Sequence, residues 1–530
     1  MKKIYFILAT LVIALSGMSY LYFSALKKAG VQADLSLELL SKNAAMIFNF
    51  QNDKSVRNIL DGQELLAKIL GEEKSSSLRS LKNQLERLQS GSQFQGQNIY
   101  IGFYPGVKRS LEYMIGMQMR PEANDKVFAA QLKQAGITLS PYSSYQQLQT
   151  ADDQTFYLLI QKRVVLIASA ANVIDQLIAQ QQSDADKDFL TFIQKNDRLA
   201  KNSLANLYIN VKAMGPLMKA ITPYFNRGEL AVLSRQQAFA RLSYNFSKEK
   251  VFFSGETKPL HPADYFGIFA AFRPEKIELD RILPASTANY TLYSFGEYKQ
   301  FNKVLQQWFV NKKEDKNVSQ KVAAINERYR LNLNDVFLKF ASSQAATFQL
   351  QNKQKLAAIK LNSGEKVEQL LLDISDDYDG EIRLMKEPDI LYYYFGEPFK
   401  NFRKPYYQII NNYMIIGAFP SSIIDFRNSY QQNRLLSLEP GYTDVFRQLP
   451  STSNILFYLN INRSQQNIIS TIYPQYYTQI RSKNGLKAFD SFVYQLGGDQ
   501  GTFQTNLLLT TKRTSAIADE SADNSLPGVN

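Results

Sequence analysis

Two periodicities alternate along this chain. Short apolar runs broken at every second residue predict strands, and stretches whose apolar residues recur every three or four positions predict amphipathic helices. Residues 44–50 (Ala-Ala-Met-Ile-Phe-Asn-Phe) read as a strand, and Lys54 to Leu70 carries Val56, Ile59, Leu60, Leu65, Leu66, Ile69 and Leu70 at helical spacing. A second helix is expected over 76–88, then strands over 98–104 and 111–119 joined around Pro105 and Gly106. A helix near 125–135, strands over 155–161 and 164–169 and a helix over 171–182 follow. Strand, helix and hairpin then recur over 204–211, 213–224 and the pair 239–246 with 251–257.

This pattern repeats at one fixed offset. Ser203 to Val211 (Ser-Leu-Ala-Asn-Leu-Tyr-Ile-Asn-Val) returns 250 positions later as Ser453 to Ile461 (Ser-Asn-Ile-Leu-Phe-Tyr-Leu-Asn-Ile). Upstream, Ala168/Ala418, Ile174/Ile424, Asp175/Asp425, Gln181/Gln431 and Gln182/Gln432 match at the same spacing; downstream, Ala238-Phe239 meets Ala488-Phe489 and Tyr244 meets Tyr494. One offset held through several apolar segments predicts tandem copies of one fold. The expectation is an α+β protein, a tandem duplication of a mainly antiparallel sheet domain with packed helices, preceded by one transmembrane helix. The copies fall at residues 38–258 and 280–512, with a proline-bearing seam at 258–262. The second copy departs from the first between Leu391 and Ile416, where its connection is longer, and residues 513–530 read as a disordered tail by composition.

The N-terminus supplies the transmembrane expectation. Lys2 and Lys3 precede an apolar run over 4–23, and Lys27-Lys28 follow. At about 1.5 Å per residue such a helix spans roughly 30 Å, the thickness of a bilayer's hydrocarbon. A cleavable signal peptide ending near Ala14-Leu15-Ser16 is the alternative, but the run continues past that point, which favours an uncleaved signal anchor over 1–29. The chain would then be a single-pass inner-membrane protein with its bulk periplasmic or extracellular. This changes the reading of the formal charge of +13, which alone would favour nucleic acid or any anionic surface. Export removes nucleic acid and leaves an anionic envelope component or another envelope protein as the expected partner.

The strand Asn43 to Phe48, the later Asn206-Leu207-Tyr208-Ile209-Asn210 and Phe457-Tyr458-Leu459-Asn460, and the N-terminal anchor together resemble a bacterial domain-of-unknown-function family of single-pass membrane-anchored exported proteins. The resemblance covers most of residues 38–512 and rests on segment order and strand character. It implies no catalytic residues.

Candidate chemistry narrows the picture mainly by exclusion. The chain has no cysteine, which removes disulfides, zinc–thiolate and iron–sulfur sites, cysteine nucleophiles and lipoprotein acylation. Its one histidine, His261, lies between Pro259 and Pro262, and no Gly-x-Ser-x-Gly, Walker or dinucleotide glycine motif occurs. Asp184-x-Asp186-x-Asp188 begins like a calcium loop but has Phe189 and Lys195 at its sixth and twelfth positions. Ser375-x-Asp377-x-Asp379-Gly380 ends at Lys386. No metal or cofactor is therefore expected. Asp175 and Asp425 would serve a paired-carboxylate hydrolase, although each falls early in an expected helix, where a carboxylate suits the N-terminal dipole. The most suggestive surface is the aromatic and basic stretch of Tyr392, Tyr393, Tyr394, Arg403, Tyr406 and Tyr407, which could stack on sugars or hold an amphiphile, or else be sheet packing. The function expected from these readings is a non-catalytic membrane-anchored envelope protein, a binding module or scaffold. The alternative is a carboxylate-dependent hydrolase acting on an envelope or cell-wall polymer.

Overall fold

A computed structural model describes residues 34–86, 93–121, 123–179, 187–195, 203, 205–224, 236–245, 247–261 and 264–511. The first half supplies β1 (Met46–Gln51), β2 (Asn98–Pro105), β3 (Leu111–Gln118), β4 (Thr138–Tyr142), β5 (Tyr145–Gln149), β6 (Thr155–Gln161), β7 (Val164–Ala168), β8 (Ala205–Asn210), β9 (Ala238–Asn245) and β10 (Lys250–Pro259). After the two-residue β11 (Glu275–Lys276) come β12 (Thr287–Ser294), β13 (Ala341–Leu350), β14 (Lys355–Leu361), β15 (Ser375–Asp377), β16 (Arg383–Met385), β17 (Tyr406–Ile410) and β18 (Tyr413–Gly417). The chain closes with β19 (Thr452–Ser453), which pairs only with β11, and then β20 (Ile455–Asn460), β21 (Phe489–Asp499) and β22 (Thr502–Thr511).

Following the hydrogen-bonded neighbours, the first half runs β4-β5-β6-β7-β3-β2-β1-β8-β9-β10. The second runs β15-β16-β17-β18-β14-β13-β12-β20-β21-β22 in the same order. The two terminal strands, β10 and β22, then pair antiparallel from Lys250↔Thr510 to Thr257↔Phe503. The expectation of two separate sheet domains is corrected by this join: all twenty strands form one continuous antiparallel sheet. The physical reason lies in the edges. Alone, β10 and β22 would each expose a row of unpaired backbone groups and an apolar run, Val251-Phe252-Phe253 in one and Leu507-Leu508-Leu509 in the other. Pairing satisfies both, and Val251, Phe253, Phe489 and Leu509 enter one buried cluster with Leu65 and Ile461. Gly255 permits the close packing of β10 on β9, since a Cβ there would lie 2.1 Å from the Arg241 carbonyl oxygen.

Helices cover both faces. In the first half, Tyr208, Tyr104, Met114 and Leu166 pack beneath the helices Leu35–Ser41, Ala171–Ala179 and Lys187–Lys195. The opposite residues Tyr113, Ile115, Met117 and Ile167 pack beneath Glu72–Glu86 and Asp125–Gln134. The repeated Asn210 and Asn460 acquire a local meaning: each ends a strand and caps the helical turn after it. Asn210 Oδ1 accepts from the Ala213 N–H at 3.2 Å, and Asn460 Oδ1 from the Arg463 N–H at 3.0 Å.

The transmembrane expectation is also corrected. Residues 4–23 lie outside the described residues, as do 513–530, and no helix among the described residues is long and apolar enough to cross a membrane. The two longest, Glu72–Glu86 and Asp315–Tyr329, have 15 residues each and polar compositions. At about 1.5 Å per residue they fall short of roughly 30 Å of hydrocarbon. The signal anchor, the single-pass inner-membrane placement and the periplasmic or extracellular location drawn from it are not supported. Two local expectations differ as well. The helix expected over Lys54 to Leu70 breaks into Lys54–Asp61 and Glu64–Leu70. Gln63 turns inward at the break, donating to the Ile59 carbonyl at 3.2 Å and accepting from the Tyr244 hydroxyl at 3.0 Å. The hairpin β4–β5 is too polar to show as alternation, and Pro141 sits on β4, the outermost strand of its half.

Candidate functional site

The aromatic stretch singled out by sequence is largely interior. Tyr392, Tyr393 and Tyr394 lie on a short helix, Ile390–Phe395, with every side chain buried, rather than on an exposed strand. The Tyr392 hydroxyl donates to Glu314 Oε2 at 2.5 Å and accepts from Lys312 Nζ at 3.2 Å. The Tyr394 hydroxyl donates to Asn334 Oδ1 at 2.9 Å. Burial drives the hydroxyls of Tyr393 and Tyr394 above their ordinary range. Tyr407 is buried and donates to Ser375 Oγ at 3.0 Å. Tyr406 is half-buried with its ring edge-on to Tyr378, and Arg403 holds Asp389 through Nε at 3.1 Å while remaining 70% exposed. The six residues do not form one surface.

What the three tyrosines do becomes clear from the register of the two halves. Ile47 of β1 faces Tyr208 as Tyr290 of β12 faces Tyr458, so Phe50 is equivalent to Tyr293. Carried across β2 and β3, the same pairing makes Ile99, Ile101, Ile115 and Met117 the equivalents of Ala345, Thr347, Ala357 and Ile359. In the second half these positions are sealed. Tyr293, Ala345, Ala357 and Ile359 belong to one buried cluster with Phe301, Trp308, Phe309, Phe337 and the helix Ile390–Phe395. That helix lies in the connection 386–405 between β16 and β17; between the equivalent β5 and β6 there is only the turn 150–154. The longer connection noted in the sequence is an aromatic plug that the first half lacks.

The first half is open at the same place. Phe50, Ile99, Ile101, Ile115 and Met117 floor a cavity of about 560 Å³. Leu60 from the helix Lys54–Asp61 and Leu78, Leu81 and Leu85 from Glu72–Glu86 form its walls. This is the size of a small-molecule site, with an apolar interior and a sparse polar rim. Lys54, Arg57, Asn58, Asp61, Lys82 and Glu86 form the rim. Lys82 is paired with Asp61 and lies 3.6 Å from Glu86, while Lys54 is exposed at the mouth. Inside, Asn52 is 7% exposed; its Nδ2 donates to the Phe94 carbonyl at 2.9 Å, and its buried Oδ1 has no hydrogen-bond partner among the described residues. A buried acceptor left so costs about 1–3 kcal/mol, which a donor on a bound molecule would recover. Sequence periodicity identified these strands and helices but not the cavity, because the signal was the difference in connection length.

Among the remaining candidates, Asp175, Asp377 and Asp379 have structural roles. Asp175 accepts from the Tyr145 hydroxyl at 2.8 Å on a helix of the first half, and Asp425 is exposed on the equivalent helix of the second. Asp379 and Asp377 close a turn, accepting from the N–H groups of Ile382 at 2.7 Å and Gly380 at 3.2 Å. Asp184 and Asp186 lie outside the described residues, and Asp188 stands in the first turn of the helix Lys187–Lys195. His261 is exposed where β10 ends. Among the described residues, two carboxyls are held above their ordinary range. Burial raises Asp264 to about 6 against the lowering effects of the Gln237 N–H and His261; burial also raises Asp280, against a hydrogen bond from Tyr442. Neither lines the cavity.

No family model matches the chain, and no curated protein or solved structure is significantly similar to it.

Proposed function

We propose that the protein is a non-catalytic binding module whose first half takes up the apolar part of an amphipathic small molecule. The observation that carries this reading is the asymmetry of the two halves: one is plugged by the helix Ile390–Phe395, and the other, among the described residues, keeps an open cleft at the equivalent place. Packing free energy favours filling such a space, since an apolar cleft forgoes contacts that the sister copy makes at the equivalent positions. An occupant with a hydrocarbon body would restore them. Its polar end would reach the cationic mouth at Lys54 and Arg57, and a hydroxyl or amide N–H would satisfy Asn52 Oδ1.

The test is equilibrium binding of an anionic fluorescent amphiphile, anilinonaphthalene sulfonate, to the native chain and to Ile101→Trp, which fills the floor from a half-buried position. Saturable one-to-one binding, weakened at least tenfold by the substitution while the melting temperature stays within a few degrees, is the expected result. Binding unchanged in a folded Ile101→Trp, or no saturable binding by the native chain, would reject the cavity as a ligand site.

A further inference from the structure

A second concavity, of about 720 Å³, opens where the two halves meet. Four lysines line it: Lys68 from the helix Glu64–Leu70, Lys248 from the β9–β10 turn, and Lys483 and Lys487 from the segment before β21. Among the described residues, Glu64 is the one acidic residue of its lining and no ammonium of the four has a carboxylate within 4 Å. Four like charges brought together without neutralisation repel one another, and each retains its full capacity for an anion.

The scaffold that gathers them is tightly fixed. Gln479, in the helix Tyr477–Arg481 of the second half, donates through Nε2 to the carbonyls of Lys68 at 2.8 Å and Ile69 at 3.0 Å. It thereby pins the end of a first-half helix beside the second-half lysines. Two glycines make the approach possible. A Cβ on Gly71, whose φ is +88°, would lie 2.5 Å from Gln479 Oε1, and one on Gly485 would lie 2.2 Å from the Gln479 carbonyl oxygen. On the other wall, Thr511 donates through Oγ1 to the Glu249 carbonyl at 2.9 Å, tying the end of β22 to the turn that carries Lys248.

From this geometry we infer a site for a soluble, multiply phosphorylated small molecule, built jointly by the two halves. Lysines act as movable point charges rather than as the planar forks of arginine, which suits several phosphate groups of varying orientation better than one fixed carboxylate. The four lysines line a concavity, so a compact polyanion reaches them together more readily than a flat headgroup layer does. The site is separate from the apolar cavity, although both are bordered by the segment 60–64, and its failure would leave the amphiphile reading untouched.

The experiment is calorimetric titration of the full chain with inorganic tripolyphosphate at low and moderate salt, repeated with Lys483→Gln/Lys487→Gln. A control, Lys299→Gln/Lys303→Gln, removes the same charge from exposed positions on a distant second-half helix. Saturable one-to-one binding that weakens with salt, falls at least tenfold in the first variant and changes less than twofold in the control supports the site. Equal losses in both variants, meaning a response to net charge alone, would overturn it. So would the absence of saturable binding, or phosphatidylglycerol vesicles engaging the same lysines in preference to tripolyphosphate.

Discussion

The hydroxyl of Thr505 donates a 2.8 Å hydrogen bond to the hydroxyl of Thr257, and both side chains are buried on the paired strands β22 and β10 that join the two halves. The contact exists only because the halves share one sheet. A hydrogen bond of this kind contributes about 1 kcal/mol net, and the Thr257 hydroxyl keeps the Tyr494 hydroxyl as a second partner. Thr505→Val should lower stability by about 1 kcal/mol. The same experiment reads the cooperativity of the join, since the one tryptophan, Trp308, is buried in the second half. Its fluorescence and the far-ultraviolet circular dichroism should give one coincident urea transition, before and after the substitution. Two separated transitions would show that the halves unfold independently.

The plug of the second half carries an acid-sensitive contact. Burial pushes the Glu314 carboxyl up, but hydrogen bonds from Tyr392 and Lys312 outweigh it and hold the group below its ordinary value of 4.5. A depressed carboxyl contributes stability that is present above the unfolded value and lost as pH falls through the folded one. Tyr392→Phe should therefore cost stability at pH 7, and the gap to the native chain should narrow as pH falls below about 4.5. Melting temperatures of both chains between pH 7 and pH 3 provide the check; a gap that stays constant would separate Glu314 from the effect.

Asp264 has the opposite sign. Burial raises its carboxyl from 3.8 to about 6, so its contribution is fully favourable below about 3.8 and is lost as pH rises through about 6. Asp264→Asn keeps an oxygen able to accept from the Gln237 N–H, a contact of 2.6 Å in the native chain, and removes the charge. Relative to the native chain, the variant should gain about 1–2 kcal/mol between pH 4 and pH 7 at this buried carboxyl. Denaturant unfolding at the two pH values measures it, and equal differences at both would contradict the assignment.

Legibility in the sequence followed the range of the forces involved. The strand around Tyr208 and its counterpart around Tyr458 show in the sequence because alternation, the buried tyrosine and the capping asparagine are all set within a few residues. The break at Gln63 is invisible there, because its side chain turns inward to the Tyr244 hydroxyl, far away in the chain. The tyrosines at 392–394 have the composition of a binding surface, and only their neighbours Trp308, Phe309 and Phe337 show that they face inward.

The sequence by itself determined the repeat that links the strands around Tyr208 and Tyr458, many of the strands and helices, and the absence of cysteine, all of which reside in residue identity and local spacing. Tertiary structure alone decided that β10 joins β22 in one sheet, that the long connection of the second copy folds back as an aromatic plug, and that four lysines from three separate segments line one concavity. These are outcomes of long-range packing. Edge pairing, cavity filling and charge proximity depend on which surfaces meet in space, and the spacing of residues along the chain carries little record of that.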